Sequence, residues 1–330
     1  QPVRYGRGGM VSDVRWTHDA THLVLTLPPG SPAPETADYQ MRYPKAIERA
    51  RRMDPNAFDG APKNFVNATV RDRDTSRSGL LLPAPSRLSY ELRIPEGGEL
   101  RCDAGIASPE WLDRPSSDGA VLAVHIDAGQ GPEQVAAWTL RPGVFSSHTV
   151  DLSRWSGQSV TLALASEAGG HAHGDHVFVG EPVVSSRKAK PKRVVLVFLD
   201  TVRPDRLSLY GAQRDTSGAL DERLADAAVF DEARSIAPWT LPSARTVMTG
   251  RQPEKYAASE TLSERLSGLG WATAMFAGNV YLSANFDMDR GWGVHKVTLW
   301  PQARRVVDDA LEWLDDHEGQ DALLQVQFME

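Results

Sequence analysis

The chain has 330 residues, 41% hydrophobic and 24% charged, the composition of a globular protein with room for two cores. A net charge of −7 argues against nucleic acid as a partner, and the single cysteine, Cys102, excludes an intrachain disulfide. No apolar run approaches the ~20 residues of a transmembrane helix and no signal peptide is visible. Gln1 in place of Met suggests a processed or trimmed start.

Residues 1–79 form an N-terminal extension with little periodicity. Pro28-Pro-Gly-Ser-Pro-Ala-Pro34 reads as a loop and Tyr43 to Met53 as a short basic helix. From residue 80 to 186 the pattern changes to short alternating runs. Ser86 to Ile94, Ala120 to Asp127, Ser159 to Ala165 and His176 to Val179 are predicted strands separated by Gly, Pro or Ser turns. Such spacing predicts an antiparallel β-sandwich. Arg187-Lys-Ala-Lys-Pro-Lys-Arg193 reads as a solvated basic linker.

Residues 194–330 alternate strands with helices, which predicts a doubly wound α/β sheet, incomplete in this chain. Val194-Val-Leu-Val-Phe-Leu-Asp200 is predicted to be a buried parallel strand with an acid at its C-terminal edge. Leu220 to Ala228 suits a short helix, and Ser243 to Thr249 a helix behind Thr240. Thr261 to Leu269 places Leu262, Leu266 and Leu269 on one helical face, ending at Gly270. Ala272 to Ala277 is a strand. Ala303 to Asp316 is an amphipathic helix with Val306, Val307, Ala310, Leu311 and Leu314 inward. Ala322 to Phe328 is a last strand, expected to leave a long apolar edge unpaired, so that residues 192–330 would not be stable without a following segment.

Open α/β sheets place ligands at the C-terminal ends of their strands, where Asp200 stands. Thr240 opens a helix whose first turn holds Pro242 and Ser243, so its hydroxyl faces free backbone N–H groups and the positive end of the helix dipole. That is a place to meet a sulfate or phosphate.

In this order and spacing several segments resemble the N-terminal half of a sulfatase of the alkaline phosphatase superfamily. They are Val194 to Asp205, Tyr210-Gly211, Thr216-Ser217, Asp221, Ala237 to Ser243, Met248-Thr-Gly250 and Leu269 to Thr273. The sandwich stretches Thr149 to Leu162 and Val177 to Val184 resemble jelly-roll, carbohydrate-binding-like modules. The resemblance implies an extracytoplasmic bacterial hydrolase of sulfate or phosphate esters, such as one on a glycan. It implies Asp200 and Thr240 on a divalent metal, Thr240 and Arg245 as catalytic residues, and Asn279 and Ser243 near substrate. Calcium is the metal expected of a sulfatase; zinc, manganese or magnesium suits a phosphoesterase. The metal-ligand pair from the C-terminal half of the domain would lie past Glu330, on this polypeptide or a second chain.

The departures from the family pattern are specific. Thr240 stands where sulfatases have the Cys or Ser that is oxidised to formylglycine, and threonine cannot undergo that oxidation. Ala244 holds the arginine's place, with Arg245 one residue later. Thr201 follows Asp200 where a second acid is common, and Gly278-Asn-Val-Tyr281 replaces a segment with two cationic anchors. These changes point towards phosphoryl transfer. They equally suit the alternative, a catalytically inactive sulfatase-like protein that binds glycan or a protein partner.

Blander roles compete at each position. Asp200 or Thr240 can cap a helix, Arg245 can be a surface ion-pair residue, and Asn279 can be a turn residue. His171-Ala-His173-Gly-Asp175-His176 reads as a polar loop ahead of zinc or copper ligation. Trp111, Trp138 and Trp155 could stack on sugars but more often fill sandwich cores.

Overall fold

The computed structural model of the chain describes residues 3–5, 9–11, 15–18, 23–26, 36–41, 68–72, 74–107, 117–172, 174–230 and 232–329. The predicted loop at Pro28, the basic helix from Tyr43, Trp111 and His173 lie outside these residues. A short antiparallel pair, β1 (Val3–Tyr5) and β2 (Gly9–Val11), comes first. β3 (Arg15–His18), β4 (Leu23–Thr26), β5 (Thr36–Met41), β6 (Ala68–Asp72), β7 (Thr75–Pro83), β8 (Ser86–Arg93) and β9 (Gly98–Ile106) follow. β10 (Ala120–Asp127), β11 (Glu133–Leu140), β12 (Phe145–Asp151), β13 (Ser159–Ala168) and β14 (His176–Ser186) complete the antiparallel part.

One sheet has the order β11-β10-β13-β8-β5-β4-β3, antiparallel throughout. The strands β9, β14, β7 and β12 lie in a second sheet. Leu81, Leu88, Leu100, Leu122, Leu164 and Phe178, drawn from both sheets, share one buried core. Alternating strands whose apolar faces meet in this way are the sandwich that the spacing predicts. Gly79 sits opposite Gly180, and a Cβ added at Gly79 would collide with the Val179 carbonyl, so the close approach of the two strands there requires glycine at position 79. The antiparallel part starts earlier than residue 80: β5 pairs with β8, and β7 begins at Thr75. Thr75 and Ser76 are polar yet buried, so hydrophobic alternation could not reveal them.

Beyond it come β15 (Arg193–Leu199), α1 (Gly218–Arg223), α2 (Thr240–Thr249), α3 (Leu262–Gly268), β16 (Ala272–Ala277), β17 (Val294–Val297), α4 (Ala303–Asp316) and β18 (Ala322–Phe328). The strands run parallel in the order β17-β16-β18-β15. A capping box starts α3: Thr261 Oγ1 accepts from Glu264 N at 3.1 Å, and Glu264 Oε2 accepts from Thr261 N at 2.8 Å.

Five expectations change here. α1 is Gly218–Arg223, shorter than the predicted Leu220 to Ala228. Leu269 is 70% exposed, because it caps α3 instead of continuing its apolar face. On α4, Val306, Ala310 and Trp313 are buried, whereas Val307 and Leu311 lie exposed on its flank. β18 is interior, paired on both sides, and the edge strand is β15. Val195 and Val197 of β15 are about half exposed, so this strand is parallel but not buried.

The two parts share one sheet. β17 pairs antiparallel with β7, with Val294 opposite Arg77 and Lys296 opposite Thr75. Ser78 N donates to Gly293 O at 3.2 Å and Val297 N to Asp74 O at 2.8 Å. The basic run is pinned as well: Arg187 pairs with Glu318 at 2.8 Å and Lys188 with Asp321.

The Asp74 carboxylate accepts from Thr75 Oγ1 at 3.1 Å and from Thr298 Oγ1, tying the two strands at their junction. Burial pushes its pKa up, but the two hydroxyls and the nearby Lys296 charge outweigh burial and hold it below the ordinary value. A depressed carboxylate stabilises the fold above its unfolded pKa and loses that contribution as pH falls through the folded one. Asp74→Asn is therefore expected to lower the melting temperature at pH 7, with the gap to wild type closing below about pH 4. Thermal melts at pH 7 and pH 3 check this; an equal gap at both contradicts it.

Candidate active site

The C-terminal ends of β15, β16 and β18 converge on one small polar cluster. Asp200 follows β15, and its N–H donates to Phe328 O of β18 at 3.0 Å. The chain then turns sharply through Thr201, which adopts a left-handed φ of 64°. That conformation costs a β-branched residue on the order of 1–3 kcal/mol, and such strain tends to gather at functional sites. Thr240 is the first residue of α2, and its Oγ1 donates to Asp200 Oδ2 at 3.1 Å, with Oδ1 at 3.4 Å. Asn279, in the loop after β16, donates from Nδ2 to Asp200 Oδ2 at 2.8 Å and to Thr240 Oγ1 at 3.2 Å. Its Oδ1 is held by Tyr281 N at 2.9 Å, which fixes the amide's orientation.

Of the residues expected at the site, Asp200, Thr240 and Asn279 are thus in mutual contact. Ser243 and Arg245 are not. Ser243 Oγ donates to the carbonyls of Ala237 and Trp239, both at 3.0 Å, and so braces the start of α2. Arg245 donates to Phe286 O at 2.9 Å and lies over the Tyr256 ring at 4.8 Å. A helix turns ~100° per residue, so the one-place shift from the family's arginine carries this guanidinium to another side of α2.

Sequence reading overlooked Gln327, whose Nε2 donates to Asp200 Oδ2 at 2.9 Å. Two glutamines, Gln325 and Gln327, in a strand whose other residues are apolar were the signal, because most buried amides are hydrogen-bonded. Trp239 and Tyr281 were also overlooked. Their rings meet edge to face at 5.3 Å, both exposed, one beside Thr240 in sequence and the other close to Asn279.

Asp200 Oδ1 and Thr240 Oγ1 are hard oxygen donors side by side, which suits a divalent cation. Asn279 turns an N–H towards them, so it is not a ligand in this arrangement. Two protein oxygens are fewer than the roughly four to eight ligands such cations take.

A second cluster lies in the sandwich. Asp118, His171 and Asp175 bring one donor atom each within 4.8 Å of one another. Asp175 is fully buried and accepts from Ser117 Oγ at 2.6 Å and Gly169 N at 3.3 Å. Burial, together with neighbouring Asp118, raises its pKa. The polar segment from His171 thus gains a partner, Asp118, that its own sequence does not contain.

Residues 192–330 match the sulfatase family model. The matched segment covers every residue of the Asp200 cluster and stops short of the sandwich. No curated protein matches the chain. Among solved structures it is similar to the C-terminal periplasmic domain of EcEptC from Escherichia coli in complex with Zn, at 18% identity and TM-score 0.37. That alignment covers 43% of this chain and 44% of the other. The corresponding domain of the phosphoethanolamine transferase EptC from Campylobacter jejuni aligns at 19% identity, 43% and 46% coverage and TM-score 0.34. A third similarity is to the M60 catalytic domain with CBM51 domains of Clostridium perfringens ZmpB, at 15% identity, 59% and 22% coverage and TM-score 0.30. The chain thus spans less than half of either EptC domain. Among the described residues no helix is long and apolar enough to cross a membrane.

Proposed function

We propose that the chain carries part of a divalent-metal-dependent hydrolase of phosphate or sulfate esters that works outside the bacterial cytoplasm. The observation that carries this reading is the Thr240 hydroxyl, hydrogen-bonded to Asp200 at the carboxyl edge of a parallel sheet and at the start of a helix. Asp200 and Thr240 would hold the metal. When bound, it would lower the hydroxyl's pKa and neutralise charge on the ester.

Thr240 Oγ attacks phosphorus and releases its proton to solvent; the new O–P bond forms, the bond to the leaving alcohol breaks, and the departing oxygen takes up a proton from solvent. Water then attacks phosphorus, the Thr240–phosphorus bond breaks, and the threonine recovers its proton. The free N–H groups of α2's first turn face the developing charge. The exposed rings of Trp239 and Tyr281 offer an apolar wall for the organic part of the ester. Arg245, bound elsewhere, takes no part. Further ligands would come from water, substrate or the C-terminal half of such a domain, on this polypeptide or a second chain. The open apolar faces of β15 support that docking.

Phosphate is favoured over sulfate. A formylglycine hemiacetal can expel sulfate, whereas a sulfated threonine has no such exit and must be hydrolysed. The specificity constants for matched aryl phosphate and aryl sulfate esters, with calcium, zinc, manganese and magnesium in turn, test the preference. Each tenfold ratio is worth ~1.4 kcal/mol. Higher values for sulfate overturn the phosphate preference. No turnover with any metal, and no metal bound, favours the inactive binding protein.

A further inference from the structure

Gln327 is the next-to-last residue of β18, in the interior of the parallel sheet, and is 1% exposed. Both ends of its amide are used, and on different elements. Nε2 donates to Asp200 Oδ2 at 2.9 Å, while Oε1 accepts from Gly278 N at 2.9 Å in the loop that presents Asn279. We propose that Gln327 is the positioning residue of the Asp200–Thr240 pair, fixing which carboxylate oxygen is offered to a cation. This rests on the reading of Asp200 as a metal ligand.

Asp200 Oδ2 receives N–H bonds from Asn279 and Gln327 and the hydroxyl of Thr240. That oxygen is fully engaged. Oδ1 keeps only the longer contact to Thr240, so it is the oxygen left for a metal, on the side of the nucleophile. An amide suits the task where a charged side chain would not. A second carboxylate would repel Asp200, and a lysine or arginine would neutralise it and compete with the cation. The Gly278 bond makes the clamp reciprocal, because it also sets the height of the Asn279 loop above the sheet. Asn279 and Gln327 thus hold the carboxylate from two strands at once.

Two variants of the 330-residue chain separate this role from simple packing. Gln327→Met fills similar volume and removes both bonds; Gln327→Glu keeps an acceptor for Gly278 N and removes the donor to Asp200. Manganese(II) binding by calorimetry, amide exchange of the 272–282 segment by mass spectrometry, and kcat with KM on an aryl phosphate are the readouts. Gln327→Met is expected to bind manganese roughly 10–100-fold more weakly, the usual effect of losing a partner behind a ligand. It should also expose the Gly278 amide to exchange and lower kcat with little change in KM. Gln327→Glu should keep Gly278 protected yet lose kcat, and it carries the test if Gln327→Met does not fold. Wild-type manganese affinity and kcat in the variants would overturn the positioning role. A wild type that binds no manganese overturns the reading of the site itself, and that failure shows before any variant is compared.

Discussion

Thr240→Ala is expected to lower turnover of an aryl phosphate by at least ~10³-fold, as removal of an enzyme nucleophile does, while the chain stays folded. The structural loss is the hydroxyl's two partly buried bonds, to Asp200 and from Asn279, each worth about 1 kcal/mol. Asp200 keeps the N–H groups of Asn279 and Gln327, so the truncation strands no buried charge. Asp200→Asn should be equally inactive for another reason. It preserves shape, and its carbonyl can still accept the two amide donors, but it removes the negative charge that would hold the cation. Activity with a chromogenic ester, beside melting curves of all three proteins, separates chemistry from folding. Undiminished turnover in Thr240→Ala would show that another group attacks.

Trp292→Ala should cost about 3–5 kcal/mol of stability, the usual range for emptying a large aromatic site. Trp292 is 1% exposed and packs in one core with Leu241, Met248, Met275, Leu282 and Met288. Leu241 and Met248 belong to α2, so this core is the bed on which the helix bearing Thr240 rests. Activity should fall with the folded fraction, and near-normal turnover should return at lower temperature. Chemical denaturation of wild type and variant gives the difference, and a loss under about 1 kcal/mol would mean that the site closes around the gap.

How far the sequence could be read depended on which interaction held each element. β10, β16, β18 and α4 fall on their predicted spans because each carries a complete apolar pattern. β7 escaped because its first residues are polar and are buried by pairing with β17, a contact between residues more than two hundred positions apart. β15 was read as buried from composition, yet burial depends on what lies beside a strand, and β15 is an edge. At the site, Asp200, Thr240 and Asn279 were legible as motif positions. Gln327 belongs to no motif that was weighed, and its partners are 127 and 49 residues away. Arg245 shows the opposite case: one residue of shift along a helix is small in sequence and large in direction.

The pairing of β7 with β17 bears on how anything held by the sandwich would be presented to Thr240. A module on a flexible tether raises the local concentration of its cargo over a sphere of positions. A module joined through a strand ladder, with its connecting segment also bonded down, offers its cargo at one bearing and one distance. If the sandwich holds a ligand and Thr240 cuts an ester, such a junction would work as a ruler, selecting targets by the spacing between the point that is gripped and the bond that is cut. Lengthening the segment from Arg187 to Lys192 would therefore change reach very little, whereas breaking the ladder at Ser78 and Gly293 would free the two ends to roam.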